Sequence, residues 1–232
     1  MASAQSLITD IRNIASSGPT PVDFRISDDE ILHWINETRS MMINQAIQKR
    51  QDISDVWIQT IGCLALTEVD TSECCEVTTD CYMLRSEVQL PPTIETDGIN
   101  MIMQVAGIDG STVIAKINPF RSRFRAYNKF VKNTPGWYLK NRYLYITNSD
   151  LSLGMVSLKG IFENPLDLNS FVDCNNQSCI TLESEYPMSL KMANDVTNYI
   201  INTKVKPYML NGQDTKNNAN DETGPLGGQP KV

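Results

Sequence analysis

Apolar residues recur at steps of three and four through residues 24–50, and this spacing predicts one long amphipathic helix. Ser27 followed by Glu30 forms an S-x-x-E capping box, in which the serine side chain satisfies a backbone N–H of the first turn. Three further apolar residues widen the buried stripe: Trp34, Met41 and Ile43. We expect a helix with a broad face packed on its own core. A second interpretation adds contact with a neighbouring copy through those three residues.

The rest of the chain has a helical pattern at both ends and strand-like segments between them. Residues 3–15 and the segment that starts at Pro187 show helical spacing of apolar residues. Segments 61–69, 81–90 and 154–163 are rich in β-branched and apolar residues, which is typical of strands. Asp109-Gly110 and Asn141-Arg142 each separate two strand-like runs, so both predict tight hairpins.

A short helix is predicted to begin at Pro119, because proline is well tolerated at the first position of a helix. Its expected buried face consists of Phe120, Phe124, Tyr127 and Val131. After Asn211 the sequence has almost nothing to bury and cannot offset its ordering cost alone, so we expect a disordered tail unless a partner orders it.

These patterns predict an α+β fold, with N- and C-terminal helices packed together beside an antiparallel β-sheet or sandwich. The short helix is an insertion into this arrangement, and the C-terminal tail is disordered. The predicted parts are an N-terminal helical part (1–55), a β-rich domain with a short helix at about 119–131 (56–165), a crossing loop (166–186), a C-terminal helix that packs on the N-terminal helices (187–210) and a flexible tail (211–232).

No signature of an enzyme or of a bound cofactor is present in the sequence. Phosphate-binding glycine motifs do not occur, and His33, the one histidine, lies on the predicted long helix away from any nucleophile. We therefore expect no catalytic residues and no cofactor. No window is long and apolar enough to span a membrane, and no export signal is evident near the N-terminus.

The cysteines lack the closely spaced pairs that structural zinc sites normally show. We expect no metal, and an origin inside a cell favours reduced thiols. The free thiols expected on this basis are Cys63, Cys74, Cys75, Cys81, Cys174 and Cys179.

Charge is distributed unevenly along the chain. Residues 111–149 contain eight basic residues and no acidic residue. Since the whole chain has a net charge of −7 and this segment contributes +8, the remainder sums to about −15. The basic residues are interleaved with aromatic ones and are Lys116, Arg121, Arg123, Arg125, Lys129, Lys132, Lys140 and Arg142.

Three interpretations of this basic segment are open. It is a solvated face without a partner, a contact for nucleic acid, or a surface that docks on acidic protein, including the acidic part of an identical subunit. A chain that is acidic overall is a poor free binder of DNA, because its remaining field repels phosphates. Subunits of a ring need two different faces that fit each other, and a basic centre with acidic ends suits that geometry. We favour the third interpretation.

Several short motifs resemble the head-to-tail connector proteins of short-tailed phages, and above all the ring (adaptor) proteins of crAss-like phages. The first lies at the long helix and includes the run 24–26, Ile31, the run 34–36 and Arg39. Others are the runs 61–64, 81–82 with 84–86, 143–146, 160–163 with Pro165, and Tyr186-Pro187 before the last helix. In order they cover about residues 24–199, and their specificity lies in sequence and spacing together.

The resemblance implies a structural virion protein, a homo-oligomer of twelve identical subunits in a ring. It also implies a place at the portal–tail junction, with the portal protein and neighbouring tail ring proteins as partners and genomic DNA in the lumen. Such a ring is assembled in the host cytoplasm, and the family has no catalytic residues to transfer. The alternative function is an intracellular nucleic-acid-binding module that uses the 111–149 segment.

Overall fold

The computed structural model describes residues 2–16, 26–69, 83–96, 98–122, 129–130, 134–148, 153–175 and 177–207. The predicted tail at 211–232 therefore lies outside the described residues. Within the described residues the helices are α1 (Ala4–Ala15), α2 (Asp28–Gln48), α3 (Pro119–Ser122) and α4 (Leu190–Ile200), the last of which continues as a π-helical turn over Ile201–Val205. Segments Asp55–Trp57 and Pro165–Ser170 are 3-10 turns. No described helix has the length and apolar character that crossing a membrane requires.

Nine strands lie within the described residues. They are β1 (Gln59–Glu68), β2 (Met83–Ser86), β3 (Glu95–Thr96), β4 (Ile99–Asn100), β5 (Ile102–Gly107), β6 (Val113–Lys116), β7 (Gly136–Lys140), β8 (Tyr143–Thr147) and β9 (Met155–Gly160).

Seven of these strands close into a barrel in the order β1-β2-β8-β7-β6-β5-β9, while β3 and β4 form a separate two-stranded sheet. The predicted fold class, helices beside an open antiparallel sheet or sandwich, is therefore wrong. Strand β1 closes the barrel, because it pairs with β2 along one edge and with β9 along the other. Pairing between strands this far apart in the chain leaves no local sequence signal, so the open sheet and the closed barrel share one hydrophobic pattern.

One pair of barrel strands is parallel, which the predicted antiparallel arrangement also missed. Ala115 and Lys116 of β6 pair with Gly136 and Trp137 of β7 in parallel, whereas every other described neighbour pair in the barrel is antiparallel. Parallel neighbours cannot be joined by a tight hairpin and need a crossover connection of a dozen or more residues. Residues 117–135 make that connection, and we call them the crossover.

The helices begin where serine side chains cap them. Ser3 accepts a hydrogen bond from the N–H of Ser6 (3.1 Å), and Ser27 accepts from Glu30 (3.2 Å), which confirms the predicted start of the long helix. The last helix begins at Leu190 rather than at Pro187, because Ser189 accepts from the N–H of Met192 (3.2 Å) and so defines the first turn.

Apolar side chains form two separate cores. In one, buried residues of α1, α2 and α4 meet, among them Ile11, Ile35 and Val196. The other fills the barrel with inward residues of its strands, such as Val105 and Leu144. Burying one such side chain stabilises the fold by about 1.5–3 kcal/mol, so each core is a substantial source of stability.

Arg39 of α2 joins the helical part to the barrel. Its side chain is fully buried, and the guanidinium donates to the carbonyl oxygens of Phe162 (2.9 Å), Pro187 (3.0 Å) and Trp57 (3.5 Å). None of these acceptors is a carboxylate. Burial lowers the pKa of Arg39 to about 10, which leaves the side chain charged at neutral pH. One charged group thus holds together four segments that are distant in sequence.

A second polar network lies beside this guanidinium. The Tyr186 hydroxyl donates to Oδ1 of Asn36, and Nδ2 of Asn36 donates to Oδ1 of Asn164 (3.0 Å). The Tyr186 ring lies under Arg39, with 5.9 Å between the guanidinium carbon and the ring centroid. Four residues here belong to the short motifs on which the family resemblance rests, namely Asn36, Arg39, Tyr186 and Pro187. Residues of the helix motif and of the Tyr186-Pro187 motif therefore meet at one place, and we call it the Arg39 junction.

Two of the cysteines are not free. Cys63 of β1 and Cys174 form a disulfide, with 5.2 Å between their Cα atoms, so the prediction of free thiols is wrong for this pair. A chain separation of 111 residues gave no hint of the pairing, because only the closed barrel brings the two segments together. Cys179 is the free cysteine among the described residues, and burial raises its pKa. The three cysteines at 74, 75 and 81 lie outside the described residues.

Candidate subunit interface

Five of the eight basic candidates lie on the crossover, namely Arg121, Arg123, Arg125, Lys129 and Lys132. The backbone of Arg121 is part of α3, and Lys129 is exposed with its Nζ 5.1 Å from the centroid of the Phe130 ring. Positions 123, 125 and 132 lie outside the described residues. The parallel pairing of β6 with β7 therefore explains why this basic stretch is a long excursion rather than a tight turn.

Lys116 ends β6 at the start of the crossover. Its Nζ donates to Oδ1 of Asn100 (2.8 Å) and lies 5.3 Å from the ring centroid of Trp137, the residue opposite it on β7. Partial burial lowers the pKa of Lys116. A cation held against an aromatic face is fixed in position, so this lysine presents an ordered charge at the edge of the crossover.

Lys140 and Arg142 lie at the tip of the β7–β8 hairpin. Lys140 pairs with Tyr143, which leaves a two-residue loop and confirms the predicted hairpin. Asn141 and Arg142 have φ angles of 53° and 64°, and a type I′ hairpin turn requires positive φ at both of its central residues. Nη2 of Arg142 donates to Oε1 of Gln89 (3.1 Å), and both basic side chains remain exposed.

Phe120 and Phe130 are the most exposed large apolar side chains among the described residues, each at 80%. Phe120 was predicted to lie on a buried helix face, and its exposure shows that this prediction is wrong for this residue. The other members of that face, at 124, 127 and 131, lie outside the described residues. Each of these two exposed aromatic residues is next to a basic residue in the sequence, Arg121 after Phe120 and Lys129 before Phe130.

The three helix candidates are placed differently. Trp34 and Ile43 are buried in the helical core of the chain itself, and Met41 is half-buried. The structure thus assigns most of this apolar surface to packing within the chain. Their contact with a neighbouring copy stays a prediction, and it now depends on Met41.

Sequence reasoning found the basic segment but missed why it is long. The number of residues between the runs 112–117 and 137–140 could have indicated the parallel pairing. A connection of about twenty residues without a tight turn signal is typical of a crossover between parallel strands. Phe120 was misjudged because helical spacing in a short segment cannot tell whether a core exists for it to contact.

The comparison with protein families supplies the class of this molecule. The model of the family described as phage tail ring protein 2, from crAss-like phages, matches residues 6–223. The chain belongs to this family, which confirms the resemblance. It is accordingly a structural protein of the phage virion that assembles as a ring with other tail components. No match to the chain was found among curated proteins.

Proposed function

We propose that twelve copies of this chain form a portal-bound ring in the head-to-tail connector, and that genomic DNA passes through its lumen. The portal protein and the neighbouring tail ring proteins are its partners on either side, and the ring is assembled in the host cytoplasm. Membership of a tail ring family supports the ring itself. The portal, the copy number and the passage of DNA come from the resemblance of the motifs and are proposed on that basis.

The observation that carries the assembly is the crossover, where Phe120 and Phe130 are 80% exposed among basic residues. A lone subunit gains nothing from leaving these rings in water, whereas burial of each in an interface contributes about 1.5–3 kcal/mol. Aromatic and arginine side chains are enriched at the centre of protein interfaces, and charge at the rim mainly steers association and fixes register. The basic residues therefore act as the rim around an apolar contact.

The helical part and the β-rich domain act together as the body of each subunit in this proposal. The segment 187–210 packs with 1–55, and the crossing loop 166–186 links it to the barrel. The tail at 211–232 orders only against a neighbouring subunit. Limited proteolysis tests the last point: it should remove residues after about Asn211 from free protein and spare them in the ring.

Imaging of the purified chain and of virions tests the ring. We expect one ring with twelvefold rotational symmetry between the portal and the tail. Changing Arg121, Arg123 and Arg125 to Glu should leave the monomer folded, by circular dichroism, while rings fail to form. The matched control reverses Lys49, Arg50 and Lys191, which are exposed and lie outside the basic segment.

The same variants separate the alternative positions of the basic segment. If rings form normally and genome retention or ejection changes, the segment faces DNA in the lumen. If the free chain is monomeric and binds duplex DNA with an affinity that falls steeply with salt, the nucleic-acid-binding module is correct. Normal assembly together with normal DNA handling would contradict both the interface and the lumen position.

A further inference from the structure

The disulfide between Cys63 and Cys174 encloses almost the whole barrel. Cys63 lies in β1, the first strand of the barrel, and Cys174 follows β9, the last one. All the other barrel strands lie between the two cysteines, which are 111 residues apart in the chain. A disulfide stabilises a fold mainly by restricting the unfolded chain, and more so when the closed loop is long. The bond therefore reinforces the closure of the barrel between its first and last strands.

A β-bulge places Cys63 where it can form this bond. The register between β1 and β9 shifts between Ile61 and Leu64, so Gly62 and Cys63 have no paired residue on β9. Ile61 and Leu64 are buried in the barrel core, whereas Gly62 and Cys63 are half-buried. A bulge interrupts the alternation of inward and outward side chains and redirects the extra residue. Cys63 is thus released from the core pattern, and its sulfur reaches the segment that contains Cys174.

The partner cysteine lies in a turn that is held by its own hydrogen bonds. Phe171 and Ile180, on either side of this turn, are buried with the barrel core. The N–H of Cys179 donates to the carbonyl oxygen of Phe171 (3.1 Å), and the N–H of Asp173 donates to that of Gln177 (2.8 Å). These hydrogen bonds join the turn to itself, whereas the disulfide joins it covalently to β1. The bond can therefore open without loss of the backbone hydrogen bonds of the turn.

The surroundings of the disulfide make it accessible to small reagents and protect it from its neighbour. Cys174 is exposed, and exposed disulfides are typically the labile ones. Cys179 is the nearby free thiol, and burial raises its pKa despite a hydrogen bond from the backbone of Gly62. Attack on a disulfide requires a thiolate, so a Cys179 that stays protonated near neutral pH does not exchange with the bond. Reduction and oxidation therefore come from solution.

We propose that the Cys63–Cys174 bond is a reversible clasp on the barrel. The two residues are thiols while the subunit folds and assembles in the reducing cytoplasm, and they form the disulfide once the virion is outside the cell. The cytoplasmic half of this inference rests on the proposed function, which has the ring assembled there. The clasp thus adds stability to the barrel when the particle leaves the cell.

Closure of the clasp uses a small disulfide, such as oxidised glutathione, as the oxidant. The thiolate of the exposed Cys174 attacks one sulfur of the small disulfide, forms a mixed disulfide and releases one small thiol. The Cys63 thiolate then attacks Sγ of Cys174, forms the bond between the cysteines and releases the second small thiol. Two electrons pass from the cysteine sulfurs to the small disulfide, and the two cysteine protons end on the two released thiols. Reduction by small thiols follows the same steps in reverse.

Peptide mapping in glutathione mixtures tests the clasp on the full chain. After free thiols are blocked with N-ethylmaleimide, cleavage after glutamate gives the peptide 38–68, whose one cysteine is Cys63, and the peptide 164–183, which contains Cys174 and Cys179. We expect the peptides to be linked in oxidised glutathione and separate in a large excess of reduced glutathione. Cys179→Ser should keep the link, and Cys174→Ser should abolish it. A link that survives the reduced mixture, or never forms in the oxidised one, would overturn the proposal.

Thermal melting of the same samples measures what the clasp does for the fold. The oxidised chain should melt about 5–15 °C above the reduced chain, as expected for a bond that closes a long loop. Cys174→Ser should melt at the same temperature in both mixtures, close to that of the reduced parent. Cys179→Ser is the matched control and should keep the difference. Equal melting temperatures of the two forms of the parent would contradict the stabilisation of the barrel and overturn the clasp.

The same peptides, taken from infected cells and from virions, separate this inference from the ring itself. Cells lysed directly into N-ethylmaleimide should give separate peptides, and purified virions should give linked ones. A link already complete inside the cell would overturn the clasp and leave the ring intact. Absence of rings on imaging, together with a link that follows the glutathione mixture, would instead reject the proposed function and retain the clasp as a property of the subunit.

Discussion

The Arg39 junction and the crossover use the same kinds of residue in opposite ways. At the junction an arginine and aromatic residues are buried, and the guanidinium has three carbonyl partners. On the crossover, basic residues accompany Phe120 and Phe130, whose rings are exposed to water. The first arrangement is complete within one chain, whereas the second leaves apolar surface uncovered.

The difference separates residues that serve folding from residues that serve assembly. A buried charge is tolerated only where its hydrogen bonds are satisfied, so the junction specifies one relative placement of the helices and the barrel. Exposed aromatic rings carry no such requirement in the monomer. We therefore expect changes at the junction to reduce folding stability, and changes at the crossover to affect assembly while the fold persists.

Trp34→Asp should have the largest effect on the folded side of this comparison. Trp34 is buried in the helical core, and the change combines loss of a large apolar side chain with burial of an unpaired carboxylate. We expect the free energy of unfolding to fall by more than about 4 kcal/mol and the yield of soluble protein to be low. Thermal melting measures it, with His33→Asp as the control because His33 is its exposed neighbour on α2. A variant that melts like the parent would contradict the packing.

Arg39→Met should have the next largest effect, a loss of about 3–5 kcal/mol in the free energy of unfolding, because three carbonyl groups lose their donor and two of these hydrogen bonds are buried. Urea unfolding measures the change, and Lys49→Met at an exposed position is the control. A loss below about 1 kcal/mol would show that methionine packing replaces the hydrogen bonds, and the junction would then be an ordinary apolar contact.

Tyr186→Phe should alter the response to alkaline pH. Burial raises the pKa of Tyr186, and the nearby Arg39 lowers it by less. Above the ordinary value of 10.0, an unfolded chain loses this proton while the folded chain keeps it, so stability falls with rising pH.

The parent should therefore lose up to about 1.4 kcal/mol per pH unit above that point from this group, and Tyr186→Phe should not. Unfolding curves between about pH 8 and pH 11 measure the difference. Tyr199→Phe, at a more exposed position, is the control. Parallel curves for the parent and Tyr186→Phe would contradict burial of this hydroxyl in the folded state.

Arg142→Gly should have the smallest effect and the opposite sign. Arg142 has a φ of 64°, which an arginine adopts at a cost of about 1 kcal/mol and a glycine adopts freely. The change should raise the melting temperature slightly while weakening ring assembly. Arg142→Ala separates the two contributions, since it removes the side chain and keeps the strain. Improved stability in both variants would assign the effect to the side chain.

The local elements could be predicted from sequence because their causes are local. Ser27 and Glu30 mark the start of α2 through contacts within one turn. Asn141 and Arg142 form a two-residue hairpin loop because few other turns match the twist of the strands. The basic segment is likewise visible in the sequence, since charge can be counted without coordinates.

The candidate interface could be predicted only in part. Its charges and aromatic residues were found, but the parallel pairing of β6 with β7 that makes the crossover long was not, because strand pairing brings together distant parts of the chain. The disulfide between Cys63 and Cys174 was missed for the same reason.

By itself, the sequence determined the helices, the tight turns, the excess of basic residues at 111–149 and the family. Tertiary structure alone decided that β1 closes a barrel, that β6 and β7 are parallel, and that Phe120 has no core to join. The physical reason is the range of the forces involved. Capping and turn geometry act over a few residues, whereas strand pairing and burial depend on which distant segments meet.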